Sequence, residues 1–373
     1  MIRILHLADL HLGRSHGYLG DRAAERKREA DGLLRRIVDR VLDDPIEVDA
    51  VIIAGDLFET YKPEDGLVGE VIGQLERLDK AGKTVITLPG NHDELSYGEC
   101  VYHRRRDRWP GILVTSPSWA KITSIDTDDG PCHFYGIAYQ AGVTPDTLDR
   151  TLPLEPDGLH VAALHASVGL PGKDRAIQAT WDDLEALGVD YVALGHVHKP
   201  DLKKLSHGPA VYPGLIEGGG FGDPGSGEIV LVTLGDPAHV ERVPFPGRRI
   251  RTEPVDLGGF EDAEALAGHI RSMADPELIL RIELTGAAGF AASVPFLAGE
   301  LGNLFYHLEI EAEYILMDTA EVEAAAGEET VLGFVLRDLR EQEEAAGDDS
   351  ERAVVRRAVR HVWDTFRGGS GHA

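Results

Sequence analysis

The sequence predicts an α/β protein in which mixed β-sheet is flanked by helices and followed by a small α+β unit. Three observations carry this. Five short apolar runs in the first two-thirds each lead directly into a polar residue, the form of a buried strand ending at a site. Amphipathic stretches of helical period alternate with the first of these runs. After Pro246-Gly247 the pattern changes to strand, helix, strand, helix, strand.

The first run, residues 2–8, ends at Asp9. Residues 23–42 read as one long amphipathic helix, with Leu33, Leu34, Ile37, Val38, Val41 and Leu42 on one face. Residues 50–54 form an all-apolar strand ending at Gly55-Asp56, residues 67–81 a helix, and residues 84–88 a strand ending at Pro89-Gly90-Asn91. Residues 159–164 lead into His165, and residues 191–194 into Gly195-His196. Residues 210–212, 229–234 and 240–244 suit the antiparallel part of a mixed sheet. The second unit is expected at 248–317, with strands at 251–257, 277–284 and 308–315 and helices at 263–273 and 292–304. A helical acidic tail, 318–373, completes the chain, with disorder expected at 368–373.

Two cysteines are too few for a disulfide framework, and no apolar run is long enough to span a bilayer. Asp9 and two histidines interrupt the N-terminal apolar stretch, so a cytoplasmic, non-membrane protein is expected. The net charge is −27, with 27 basic against 39 acidic side chains in residues 1–250 and 10 against 25 in residues 251–373. That argues against avid, autonomous DNA binding, which usually shows as a basic face; it does not exclude a nuclease.

Four groups carry chemistry: Asp9-x-His11, Gly55-Asp56, Gly90-Asn91-His92-Asp93, and His165 with Gly195-His196-x-His198. Together they offer the hard oxygen and imidazole donors, and a carboxylate able to bridge, that a dinuclear site needs. In an extended strand residues i and i+2 point the same way, so Asp9 and His11, or His196 and His198, could grip one ion. Each group alone is commonplace; a turn accounts for Gly-Asn-His-Asp equally well. Their joint occurrence at strand ends is the signal.

In this order, the groups resemble the calcineurin-like metallophosphoesterases over residues 1–247. The resemblance implies an α/β/β/α sandwich and two ions, one held by Asp9, His11, Asp56 and His198 and the other by Asp56, Asn91, His165 and His196, with Asp56 bridging. It favours Mn(2+) and makes His92 the catalytic residue that is not a ligand. A carboxylate at Glu59, oriented on His92, would favour the imidazolium; the alternative is a solvated loop carboxylate.

The stretch Gly55-Asp56-Leu57-Phe58-Glu59-Thr60-Tyr61 lacks the arginine of the related protein phosphatases. Ala8-Asp9-Leu10-His11-Leu12-Gly13, Gly55-Asp56-Leu57-Phe58, and Tyr212-Pro213-Gly214 followed by Phe221-Gly222-Asp223 resemble instead the SbcD-type, YhaO-like DNA-repair exonucleases. That resemblance makes the second unit a capping domain and implies DNA as substrate and a long coiled-coil SbcC-type ATPase as partner; a homodimer is compatible with it. Leu215 replaces a common Ser, Gly218-Gly219-Gly220 a polar or basic segment, and Glu59 a His found in some members. Arg104, Arg105, Arg106 and Arg108, with Trp109, are candidate DNA contacts, or else a solvated helix face anchored by a buried Trp. Lys199, Lys203 and Lys204 form a weaker cluster. The helix at 350–366 has an apolar stripe of Val355, Val359, Val362, Trp363 and Phe366 that either docks on a partner or packs on its own domain. The expected activity is hydrolysis of DNA phosphodiesters in repair, exonucleolytic and compatible with endonuclease action as well. The alternatives are a cyclic-nucleotide phosphodiesterase and a mainly non-catalytic protein that binds DNA ends or an ATPase.

Overall fold

A computed structural model describes residues 1–43, 46–127, 129–170, 175–235 and 237–367. The chain forms two compact units, Met1–Gly247 and Arg248–Ala373.

In the first unit the strands are β1 (Ile2–Leu7), β2 (Ala50–Ala54), β3 (Thr84–Leu88), β4 (Ile112–Leu113), β5 (Ala120–Thr127), β6 (Gly130–Ile137), β7 (Leu159–Val168), β8 (Ile177–Ala179), β9 (Tyr191–Gly195), β10 (Asp201–Lys204), β11 (Pro209–Tyr212), β12 (Glu228–Leu234) and β13 (His239–Pro244). Its helices are α1 (Ala23–Asp31), α2 (Leu33–Asp43), α3 (Asp65–Lys80), α4 (Val101–Arg105) and α5 (Trp181–Glu185). One sheet has the order β13-β12-β1-β2-β3-β4, the other β10-β11-β9-β7-β6-β5, with β8 beside β7.

Side-chain alternation places the layers. Along β7, Val161 and Ala163 join the core shared with β1–β3, α2 and α3. Ala162, Leu164 and Ala166 point the other way, into a core with Leu184 of α5. Tyr191 and Ala193 of β9 divide from Val192 and Leu194 in the same manner. The unit is thus two packed mixed sheets with helices outside, the expected class. β2 is buried along its whole length, as a strand covered on both faces must be.

Two expectations need correction and a third holds on one side only. The single helix over 23–42 is broken at Gly32 into α1 and α2. β11 is antiparallel to β10 on one side, as expected, and parallel to β9 on the other, while β12 and β13 are antiparallel. β7 does not end before His165; it continues to Val168, where it pairs with β8.

The second unit contains β14 (Arg249–Asp256), α6 (Ala263–Arg271), β15 (Asp275–Thr285), β16 (Ala287–Ala288), α7 (Val294–Leu301), β17 (Phe305–Ala312), β18 (Ile315–Leu316), α8 (Thr319–Ala326), α9 (Val331–Ala345) and α10 (Asp349–Arg367). β14, β15 and β17 form a parallel sheet, packed through Leu266, Ile270 and Leu297 on α6 and α7. The helices expected as a tail share a small core with it: Trp363 of α10, 2% exposed, lies with Ala287, Ala325 and Leu336, and Val359 and Val362 pack around them. Residues 368–373 fall outside the described residues.

Candidate metal centre

Strand ends bring the expected residues together. Asp9 and His11 follow β1, Asp56 follows β2, Asn91 and His92 follow β3, His165 lies on β7 and His196 follows β9. Asp9, His11, Asp56 and His165 are buried, whereas Asn91, His92, His196 and His198 are half-buried. Ligand atoms of Asp9, His11 and His198 converge, as do those of Asp9, Asp56 and His165, and those of His11, Asp56 and His92.

The backbone here is strained. Among the described residues, the non-glycine positions with left-handed φ are Asp9 (55°), His11 (46°), Asp56 (48°) and His196 (98°). Asp9 and His11 therefore do not converge by strand alternation as expected; a tight turn after β1 aims both. The turn is held by backbone bonds from Asp9 N to Gly55 O (3.1 Å), His11 N to Asp56 O (3.0 Å) and Leu12 N to Leu57 O (3.0 Å). Glycine is required where the loops meet: a Cβ on Gly90 would stand 2.2 Å from Asp56 Oδ1.

Hydrogen bonds on the outer ring atoms orient the imidazoles. His165 Nδ1 donates to Ala54 O (2.9 Å) and His198 Nδ1 to Asp223 (3.0 Å), while His11 Nδ1 lies 3.0 Å from a Glu59 carboxylate oxygen. With those protons fixed outward, the Nε2 atoms face inward as acceptors. They meet other acceptors there: His11 Nε2 is 3.1 Å from His198 Nε2, and His165 Nε2 is 3.0 Å from Asn91 Oδ1 and 3.3 Å from Asp56 Oδ2. His196 Nδ1 also approaches Asn91 Oδ1 (3.0 Å), and its backbone N–H donates to both Asp9 oxygens (3.1 and 3.0 Å).

Inward-facing lone pairs at such distances need a cation between them, and nitrogen with carboxylate and amide oxygen suits Mn, Fe, Zn or Co. The donor set fits divalent metal. Without it a proton substitutes: burial opposes charge on His165, but the carboxylates of Asp56 and Asp9 raise it to about 9. Burial likewise opposes charge on Asp56, and His165 and His11 reverse this, holding it well below the usual carboxylate range.

Glu59 departs from expectation. Its carboxylate does not pair with His92; it accepts from Arg14 Nε (2.9 Å) beside His11, and burial is outweighed by His11 and Arg14 so that it falls to about 2. Its backbone carbonyl is what His92 meets, accepting from Nδ1 at 3.0 Å.

The arginine cluster lies on α4 and the turn that follows it. Arg104 and Arg105 both donate to Asp65 (3.1 and 2.9 Å), and Arg106 and Arg108 are exposed. Trp109 is 8% exposed, edge-on to Phe58 and Tyr102, with Nε1 donating to Thr87 (3.3 Å): a core residue, not a stacking surface. Lys203 and Lys204 are exposed on β10.

Sequence reasoning passed over Asp223, Arg14 and Asp93. Asp223 was visible within Phe221-Gly222-Asp223, but only folding brings it to His198. Asp93, fully buried, accepts from Gly90 N (2.8 Å), Phe58 N (3.1 Å) and Tyr102 OH (2.7 Å), tying the β2 and β3 loops together. Burial and the Asp56 charge push it up to about 6.

Comparison with known proteins agrees with this geometry. Residues 2–200 match the family of calcineurin-like phosphoesterases. The uncharacterized metallophosphoesterase YhaO of Bacillus subtilis is 30% identical over 63% of this chain and 58% of its own length. The DNA double-strand break repair protein Mre11 of Haloferax volcanii is 26% identical over 77% of the chain and 62% of its own. The SbcD polypeptide of the nuclease SbcCD of Bacillus subtilis is 27% identical over 64% and 67%. The matches thus span less than two thirds of the length of the first two. Among the described residues, no helix is long and apolar enough to cross a membrane.

Proposed function

The chain belongs to the calcineurin-like phosphoesterases, and on that premise we propose that it is a two-metal phosphodiesterase hydrolysing DNA, an exonuclease of repair. The observation that carries the reading is the inward convergence of Nε2 lone pairs on carboxylate and amide oxygens. Asp9, His11, Asp56 and His198 would hold one ion, and Asp56, Asn91, His165 and His196 the other, with Mn(2+) the metal favoured.

Two divalent ions at such a centre supply Lewis-acid activation of water and of the phosphoryl oxygens. The protein supplies position and a proton. His92 is fixed from both sides, its backbone N–H donating to Asp56 Oδ1 (2.8 Å) and its Nδ1 to Glu59 O (3.0 Å). The ring stands edge-on to His11 with centroids 4.7 Å apart, and its Nε2 is the atom left to protonate a departing oxygen. Half-exposure lets the ring regain that proton from solvent. Glu59 acts by orienting His11, and Asp223 by orienting His198.

DNA as substrate is supported by the DNA-repair and nuclease functions for which the Mre11 and SbcCD relatives are named. Tyr61, stacked on Tyr97 (centroids 4.1 Å, 18°) on the loops that carry Glu59 and His92, supports it too. Against it stand the net charge of −27 and the engagement of Arg104 and Arg105 with Asp65. Those two observations favour a second reading, a small cyclic-nucleotide phosphodiesterase. An SbcC-type ATPase partner would use a surface other than the α10 stripe, whose Val359, Val362 and Trp363 are packed internally.

Turnover with Mn(2+) on single-stranded DNA, duplex DNA and a cyclic dinucleotide decides the matter. DNA is expected to be degraded; turnover confined to the cyclic dinucleotide overturns the nuclease reading, and none on any of the three overturns the enzyme.

A further inference from the structure

Beside the metal centre lies a cleft whose polar groups the proposed chemistry does not use. Arg14, His16, Arg26, Glu217 and the Gly218-Gly219 backbone line it, next to His11. Arg26 is fully buried, a costly location for a guanidinium unless its donors are met. Only Nη2 is paired closely, with Glu217 (2.7 Å); Nε and Nη1 have no hydrogen-bond partner among the described residues, and Glu29 comes no nearer to Nη1 than 3.9 Å. His16, 2% exposed, likewise has no hydrogen-bond partner at either ring nitrogen.

The acids around the cleft are already engaged by basic groups. Glu217 is shared between Arg26 and Arg36 (2.5 Å), so its single negative charge answers two positive ones. Arg14 adds a third, its carboxylate partner Glu59 lying on the His11 side. Asp31, the other acid near His16, already accepts from Lys27 (2.6 Å) and Gly13 N (2.7 Å). Burial, then the charges of Arg26 and Arg14, lower His16 to about 4, so the neutral ring has a donor to offer at physiological pH. Gly219 makes the space: a Cβ there would sit 2.0 Å from Arg14 Nη1.

We propose that this cleft is an anion site for one phosphate group, bound by Arg26 and His16 with Arg14 at its mouth. Guanidinium and imidazole N–H groups without acceptors, held in a low-dielectric recess, match tetrahedral phosphate oxygens. The phosphate is either free inorganic phosphate or one borne by a nucleotide chain beside the reacting diester; the second source rests on the diesterase reading above.

The test is equilibrium dialysis of the full chain against labelled inorganic phosphate, with saturating Mn(2+) and again with chelator. One phosphate per chain is expected to bind without Mn(2+), weakened roughly tenfold or more by His16→Leu and by Arg26→Lys. His16 makes no ring hydrogen bond, so its variant keeps the test alive should Arg26→Lys fail to fold. No metal-independent phosphate, or binding unchanged in both variants, overturns the site and leaves the buried donors to water. Loss of diester turnover with this binding intact would sink the diesterase reading alone. A dinucleotide with a 5′-phosphate, binding more tightly than its unphosphorylated form only when His16 and Arg26 are present, would identify the nucleotide source; equal binding of the two assigns the cleft to free phosphate.

Discussion

At the scale of single residues, ligand and proton donor make separable predictions. Asp56 faces His165 and His11 at once, so Asp56→Asn should leave less than one ion per chain by elemental analysis. His92→Ala should keep two ions yet lose roughly 10²- to 10⁴-fold in turnover of bis-p-nitrophenyl phosphate. Wild-type turnover in that variant would remove His92 from the mechanism. Glu59→Gln should weaken metal binding by roughly 10- to 100-fold, with turnover at saturating metal nearly retained, because the carboxylate steadies His11 and not His92. His165 adds a pH dependence. In the metal-free chain it keeps a proton up to about pH 9, and metal must displace it. Apparent affinity should therefore rise by up to about tenfold per pH unit towards 9 and then level off, with proton release visible by calorimetry in buffers of different ionisation enthalpy. Affinity independent of pH between 7 and 9 would contradict this.

At the scale of elements, the loops rather than the strands carry the information that the sequence conceals. Apolar runs ending in Asp9, Asp56, Asn91 and His196 were legible, because a strand buried on both faces cannot hold a charge until it emerges. The direction in which each loop then turns was not. Alternation placed Asp9 and His11 on one side of an extended strand, whereas left-handed φ values bring them together. Nor was the partner of Glu59 legible: its carboxylate meets His11 and Arg14 and its carbonyl meets His92. Periodicity also ran α1 and α2 together, although the apolar face lies wholly on α2 and Arg26 is the residue that α1 buries, because only Gly32 marks the break. Asp93 joins two of these loops by three hydrogen bonds, and Asp93→Asn, which cannot accept all three, should cost about 1–3 kcal/mol in denaturant titration.

At the scale of the molecule, the boundary after Gly247 was readable from the change of pattern at Pro246-Gly247. The place of the C-terminal helices was not, because the apolar stripe of α10 has the same form whether it meets a partner or its own domain. Each unit has its own core. A chain ending at Gly247 should therefore fold and take up two ions; failure to do so would show that the second unit is needed to build the centre.

The ties between the β1 and β2 loops have a consequence for exchange with deuterated solvent. Amides of Asp9, His11 and Leu12 are bonded to carbonyls of Gly55, Asp56 and Leu57, and Glu59 N returns to Leu12 O (3.0 Å). They form a short ladder that continues the sheet beyond its strands, so opening one rung loosens the next. These four amides should exchange as one cooperative group, slowly while the ions are held and faster together on chelation. Their rates would then report occupancy of the centre in the intact protein without any substrate being turned over.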